Sequence, residues 1–319
     1  MTLTVAVQMD PIEHINIAGD STFALMLSAQ ARGHRLFHYA ADALNYSDGR
    51  VWALVHPVTV QRVVGDHYTL GEPVRLDLGA EADVVLMRQD PPFDLGYITA
   101  THLLERISDR TLIVNDPVSV RNAPEKLFVL DYARFMPPTL ITRSLDEARA
   151  FLARHGEIVI KPLHGNGGKA IFKVGADGAN LSALIEVFNA SWREPHMVQA
   201  FLPDVAKGDK RIVLVDGEVA GAINRLPGAG EIRSNLAVGG SAEKTELTAE
   251  EREICAALGP ELKARGLLFV GIDVIGGKWL TEINVTSPTG IIAIEQFDGT
   301  DVAALIWDAI EAKLADRAR

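Results

Sequence analysis

Apolar and polar positions divide the chain into three stretches with different rhythms. In the first, short apolar runs alternate with helical patterns. Residues 3–9 form a β-rich run that ends in Asp10-Pro11. Asp20-Ser21 is placed to cap a helix over 22–32, which Gly33 stops. Residues 35–39, 82–87 and 111–114 are further strand candidates, with a helical stretch near 99–106 between the last two. Strands separated by helices predict a parallel α/β sheet with crossover helices. Ligands of such sheets sit at the carboxyl ends of the strands. Three strands run into polar loops there: Asp10-Pro11, Arg88-Gln89-Asp90-Pro91-Pro92 and Asn115-Asp116-Pro117.

The middle stretch opens on a helix start within 121–126. It continues as a hairpin-like unit, 157–161 and 170–174, around a glycine-rich loop. The last stretch predicts strands over 210–215 and 218–224, joined by a turn at Asp216-Gly217. A long glycine-rich segment, 226–244, follows. A helix over 249–265, a second hairpin (269–275 and 279–285 across Gly276-Gly277) and a C-terminal helix complete it. Cys255 falls inside the helix pattern, where a small buried side chain is expected rather than a nucleophile, since no His or Asn partner can be argued for it.

Composition narrows the function. The chain has 319 residues, enough for two or three domains. It is 48% hydrophobic and 23% charged, as ordinary globular proteins are. A net charge of -11 argues against a broad nucleic-acid surface. No basic, apolar leader pattern opens the sequence, and no apolar run approaches the roughly 18 residues of a membrane span. One cysteine allows no intrachain disulfide. A cytoplasmic enzyme without nucleic-acid or membrane partners is expected.

The loop after Lys161 reads Pro162-Leu163-His164-Gly165-Asn166-Gly167-Gly168-Lys169-Ala170. A P-loop fails: its first glycine is missing, and Ala170 stands where Ser or Thr must hold Mg²⁺. A dinucleotide fingerprint needs a helix directly after the loop, but 170–174 is β-like. There remain a strand–loop–strand flap, whose backbone N–H groups cradle phosphate with Lys161 adding a point charge, and a plain hairpin tip without a ligand.

In the second hairpin, Glu282 and Asn284 are two apart and share a face. The Gly276-Gly277 turn brings Asp273 opposite or nearly opposite Glu282. Three oxygen donors on one face suit Mg²⁺, which keeps waters and takes phosphates as its other ligands; a polar outer sheet face is the plain alternative. The turn Thr286-Ser287-Pro288-Thr289-Gly290 could bind a small substrate such as an amino acid, or cap the next segment. Lys126, Lys161, Lys210, Arg211, Arg225 and Arg233 lie on loops or strand ends around these elements. An anionic nucleotide in an acidic protein requires such convergent cations.

Taken together, these stretches resemble the prokaryotic glutathione synthetases of the ATP-grasp superfamily over nearly the whole chain. The matching segments are MDPIEHINIAGDSTFA, LMRQDPPFD, NDPVSVRNAPEKLF, IKPLHGNGGKAIF, GDKRIVLVDGE, RLPGAGEIRSNLAVGG, GLLFVGIDVIG and LTEINVTSPTG. DPPFD with EINVTSP separates this family from the D-alanine ligases. The resemblance implies a mixed α/β and α+β fold in three parts. An N-terminal α/β (pre-ATP-grasp) domain spans 1–122, a lid domain with the glycine flap 123–202, and a C-terminal ATP-grasp domain 203–319. It implies ATP as co-substrate, Mg²⁺ or Mn²⁺ as metal, γ-glutamylcysteine and glycine as the substrates joined into glutathione, and a homotetramer.

By position, Lys126, Lys161 and the flap glycines Gly165, Gly167 and Gly168 would meet ATP phosphates. Gln199, Phe201 and Leu202 would frame adenine, and Asp209 and Arg211 would lie near the nucleotide and the reacting phosphate. Arg225 would stabilise the transferring phosphoryl group, and Asp273, Glu282 and Asn284 would hold the metal. Arg88 and Arg233, with the turn residues Ser287 and Thr289, would bind γ-glutamylcysteine. His164, Asn166, Lys169, Gln89 and Ala200 depart from what other members often carry. In the implied reaction ATP activates a carboxylate as an acyl phosphate, which water would hydrolyse. Segment 226–244, with Gly228, Gly230, Gly239, Gly240 and Arg233, therefore suits a lid. Rival readings are another carboxylate–amine ligase of the same superfamily, or a non-catalytic ATP-binding module on this fold.

Overall fold

The computed structural model describes residues 2–165, 167–228, 230–231, 233–234 and 240–317. The N-terminal sheet is built on β1 (Thr4–Gln8). After α1 (Ser21–Ala31) comes β2 (Arg35–Tyr39), which pairs parallel with β1. Asp20 caps α1 by accepting the Phe23 N–H at 2.7 Å, and Gly33 leaves it at φ +81°, as expected. Residues 44–77, to which the sequence pattern assigned nothing, form an antiparallel excursion: β3 (Leu44–Ser47), β4 (Arg50–Val60), β5 (Tyr68–Leu70) and β6 (Val74–Asp77). β7 (Val84–Met87), α2 (Leu95–Glu105) and β8 (Leu112–Val114) resume the parallel pattern on the other side of β1. β1, β7 and β8 end just before Asp10, Arg88 and Asn115, where the polar loops were expected.

The third of those loops binds protein rather than ligand. Asn115 donates from Nδ2 to the carbonyls of Phe269 (2.7 Å) and Val285 (2.8 Å), and its Oδ1 accepts the Phe269 N–H at 2.8 Å. It thus fastens the first sheet to the last. Asp116 caps α3 (Pro117–Arg121), and α4 (Glu125–Phe128) follows.

The middle sheet, in order β11-β10-β12-β9, consists of β9 (Thr139–Thr142), β10 (Ile158–Pro162), β11 (Phe172–Val174) and β12 (His196–Ala200). The helices α5 (Leu145–His155) and α6 (Leu181–Ser191) belong to the same unit. Phe151, Ile158, Ile160, Ile185, Phe188 and Val198 give it a core of its own. Phe128, Val129 and Met136 instead join the core of the last sheet.

That last sheet is antiparallel throughout: β13 (Asp209–Val215), β14 (Glu218–Leu226), β15 (Ser241–Lys244), then α7 (Ala249–Ala264), β16 (Phe269–Ile275) and β17 (Trp279–Asn284). Thr248 and Glu251 form a reciprocal capping box on α7, and Cys255 lies buried on that helix. A Cβ on Gly259 of α7 would collide with the Gly217 carbonyl oxygen, so glycine is required where the helix crosses the β13–β14 turn. α8 (Ile291–Asp298) and α9 (Val302–Arg317) close the chain, with Trp307 donating to the Leu25 carbonyl at 2.9 Å. Val5, Val84, Phe269, Ile306 and Trp307 belong to one core, so the first and last sheets form one packed body. Among the described residues no helix is long and apolar enough to cross a membrane.

Candidate active site

Strand register builds the centre. Arg211 on β13 lies opposite Asp273 on β16, and Asp273 lies opposite Glu282 on β17. Asp209, two residues before Arg211 and on the same face, lies opposite Arg225 on β14. Period-two geometry thus puts five charged groups on one face of a single sheet. Arg211 grips Asp273 with two hydrogen bonds, Nε at 2.6 Å and Nη2 at 3.0 Å. Arg225 bridges Asp209 and Asp273, reaching the latter at 3.0 Å. All four are buried. Burial alone would raise the Asp273 carboxyl; Arg211 and Arg225 outweigh it and hold it below the usual carboxylate range.

Two lysines cover Glu282. Lys126, on α4, places Nζ 3.3 Å from Glu282 Oε1 and donates to the Gly165 carbonyl at 2.6 Å. Lys161, on β10, stands 3.8 Å from the same carboxylate oxygen. Burial, only partly offset by Glu282, pushes the Lys161 ammonium down to about 8. Lys126 is also buried, but Glu282 and Glu125 outweigh that cost and raise it.

Three cavities meet at Glu282. The first is partly apolar: Val159, Gln199, Phe201 and Leu202 line one side, and Lys161, Asp209 and Asp273 the other. Gln199 is fixed by a 2.9 Å bond to Thr139 Oγ1, and Lys173 sits 3.9 Å from the Phe201 ring centre. The second cavity is polar, and Asp90, Glu125, Arg211, Arg225, Asn284, Ser287 and Thr289 line it. The third runs beneath the flap, between Gly165, Gly167, Gly168 and the two lysines. Gly167 and Gly168 have φ of +61° and +73°, a region that favours glycine. Asn166 lies outside the described residues.

The structure therefore brings together Lys126, Lys161, Gln199, Phe201, Leu202, Asp209, Arg211, Arg225, Asp273, Glu282, Asn284, Ser287, Thr289 and the flap glycines. Neither arginine expected at the substrate lines the polar cavity. Arg88 is buried behind the turn, donating to Thr22 Oγ1 (3.0 Å) and the Pro288 carbonyl (2.9 Å); it is absent from the described lining of the polar cavity. Arg233 borders the first, partly apolar cavity and pairs with Glu231 at 2.9 Å. The supposed lid is shorter than 226–244, because β15 pairs with β14 from Leu226↔Ser241 onward. Of the remainder, residues 229, 232 and 235–239, Gly239 included, lie outside the described residues. Ser234 ties the segment down by donating to Asp209 Oδ2 at 2.7 Å.

Sequence reasoning missed Glu125. It borders the polar cavity and accepts a 3.0 Å hydrogen bond from Thr286 Oγ1. Burial, with Glu282 adding to it against Lys126, pushes its carboxyl up to about 7. Its adjacency to Lys126 was the available signal.

The three expected metal ligands carry hard oxygen donors, while here Asp273 is held by Arg211 and Arg225 and Glu282 faces Lys126 and Lys161. Asp273 and Glu282 face each other across two strands, and Asn284 Nδ2 lies 3.4 Å from Asp273 Oδ2. Among the described residues no group of three or more His, Cys, Asp or Glu forms a self-contained metal cluster. Two carboxylates and an amide leave most of a coordination shell to water and phosphate, as Mg²⁺ favours.

Comparison with known proteins agrees with this architecture. Residues 3–121 match the model of the prokaryotic glutathione synthetase N-terminal domain, and residues 125–299 that of the family's ATP-grasp domain. A glutathione synthetase of Rhodopseudomonas palustris is 61% identical over 99% of this chain and 100% of its own. One of Bradyrhizobium diazoefficiens is 60% identical over the same shares. Among solved structures, the D-cycloserine synthetase DcsG superposes with a TM-score of 0.69 at 17% identity, over 97% of this chain and 99% of its own, a likeness of fold.

Proposed function

The chain belongs to the prokaryotic glutathione synthetase family, and from that membership we propose that it joins γ-glutamylcysteine to glycine through an acyl phosphate made from ATP. It is an ATP-dependent ligase with small-molecule substrates. The observation that carries the site assignment is Glu282, which borders all three cavities and so marks where nucleotide, phosphoryl group and acyl acceptor would meet.

A carboxylate and an amine in water form ions and do not condense. The cysteinyl carboxylate oxygen attacks the γ-phosphorus and ADP leaves. The glycine ammonium gives up a proton to solvent, its nitrogen attacks the acyl carbon, and the C–O bond to phosphate breaks, a second nitrogen proton leaving with it. No enzyme nucleophile is needed; the protein positions the reactants and neutralises charge. Adenine lies against Gln199, Phe201 and Leu202. Lys126, Lys161 and the N–H groups of Gly165, Gly167 and Gly168 hold the phosphates. Arg211 and Arg225 face the transferring group, and Asp209 keeps Arg225 in place. Asp273, Glu282 and Asn284 would hold Mg²⁺ or Mn²⁺, whose role when bound is to screen phosphoryl charge. Ser287 and Thr289 line the γ-glutamylcysteine side. Arg88 acts there through the turn it supports, and Arg233 belongs to the nucleotide side.

Coupled ADP release, with each substrate omitted in turn, tests the reading. Release requiring both ATP and γ-glutamylcysteine, with peptide formed only when glycine is present, is expected. ADP release with other acid–amine pairs but not this one would assign a different ligase, and nucleotide binding without turnover a binding module. We further assign a cytoplasmic homotetramer; a monomer by sedimentation would overturn that assembly.

A further inference from the structure

The polar cavity holds one charge that the preceding assignment leaves unused. Arg211 and Arg225 are matched by Asp273 and Asp209, and Glu282 by Lys126 and Lys161. Asp90 accepts from Ser287 at 2.7 Å and lies in the field of Arg88. Glu125 lines the same cavity. Its hydrogen-bond partner is the neutral Thr286 hydroxyl, and Lys126 and Arg211 act on it only from beyond ion-pairing distance. Adjacent residues on a helix point about 100° apart, so α4 can send Lys126 to the flap and Glu125 to the turn after β17.

The reaction supplies a cation for this position. The acceptor amine arrives as an ammonium and must approach an acyl carbon ringed by Lys126, Lys161, Arg211 and Arg225. Those four cations exceed the three carboxylates paired with them, Asp209, Asp273 and Glu282, by one charge, and that excess attracts phosphate and repels an ammonium. A carboxylate on the acceptor side of the same cavity reverses the local sign. We propose that Glu125 is the binding group for the ammonium of the acceptor amino acid, set in place by Thr286 and sharing the cavity wall with Glu282. The amine then waits beside the reacting carboxyl rather than among the phosphates. Asp90, on the loop after β7 and already accepting from Ser287, lines the same cavity and serves as the control.

This inference rests on the ligase reading, so wild-type turnover dependent on glycine and γ-glutamylcysteine is established first; its absence would sink that reading and with it this one. Glu125→Gln preserves size and the acceptor oxygen for Thr286 but removes the charge. With the other substrates saturating, its KM for glycine should rise about tenfold or more. KM for ATP and for γ-glutamylcysteine should stay within about twofold, and kcat should fall less than the glycine KM rises. Glu125→Asp keeps the charge and shortens the reach, so a smaller rise confined to glycine is expected, which decides the matter even where the Gln variant unfolds. Asp90→Asn should leave the glycine KM within about twofold. An unchanged glycine KM in the Gln variant, all three KM values rising together, Asp as damaging as Gln, or Asp90→Asn raising the glycine KM as much would each overturn the assignment.

Discussion

At the scale of single residues, the site is a row of charges whose protonation can be read in titrations. Glu282 answers two buried lysines and borders all three cavities of the site. Glu282→Gln should lower kcat by about 100-fold or more with the circular dichroism spectrum unchanged; near-normal turnover at ordinary Mg²⁺ would reject its role. Lys161 titrates near 8 in the folded protein, and its protonated form is the one that meets phosphate. Because kcat/KM for ATP reports the free enzyme, it should be level below about pH 8 and fall above it; a level profile to about pH 9.5 would count against the contact. Stability runs the other way: the unfolded lysine keeps its proton to about 10.4, so raising pH beyond 8 relieves buried charge and favours the folded state. The Asp273–Glu282 facing and the Glu282–Asn284 shared face were legible because strand periodicity and a two-glycine turn leave little choice. The grip of Arg211 on Asp273 was not, since it depends on which strand lies beside β16.

At the scale of elements, the β17 turn is held from behind. Arg88 spends its described donors on Thr22 and Pro288, so Arg88→Ala should loosen the turn. KM for γ-glutamylcysteine should rise more than KM for ATP, and the melting temperature should fall, since charged hydrogen bonds are worth about 1.5–3 kcal/mol each. An effect confined to ATP would contradict this. The segment between β14 and β15 carries a separate prediction. If it shields the acyl phosphate, shortening residues 227–240 should raise ADP released per peptide formed above one, whereas Arg233→Ala should weaken binding without uncoupling. A trimmed enzyme that stays coupled would transfer that role to the flap at Gly165. Hairpins and capped helices were legible here because they are local. β4 was not: Pro57 inside Val51–Val60 speaks against a strand, yet it sits opposite Phe37 in an antiparallel pairing that only the assembled sheet provides.

At the scale of the whole molecule, the expected three parts are unequal in independence. The first and last sheets share a core, and Asn115 joins them by three buried hydrogen bonds. At about 1 kcal/mol each, Asn115→Ala should cost about 3 kcal/mol in denaturant unfolding, although it touches no proposed ligand; a loss under about 1 kcal/mol would refute the fastening. No pattern in the sequence announced this, because an Asn-Asp-Pro loop after a strand reads equally well as a ligand loop. Most of the middle sheet packs on its own core, though Met197 reaches the core of the last sheet, and that has a consequence for amide hydrogens. In deuterated solvent, amides of β1, β13 and β16 should exchange through one common opening, the rarest the molecule undergoes. Those of β10 and β12 should exchange through a second, more frequent opening that leaves the larger body closed. A nucleotide bridging Gln199 on one side and Asp273 on the other would slow the second clock far more than the first. Deuterium uptake followed by mass spectrometry, with and without ATP, would then show protection concentrated between Ile158 and Ala200.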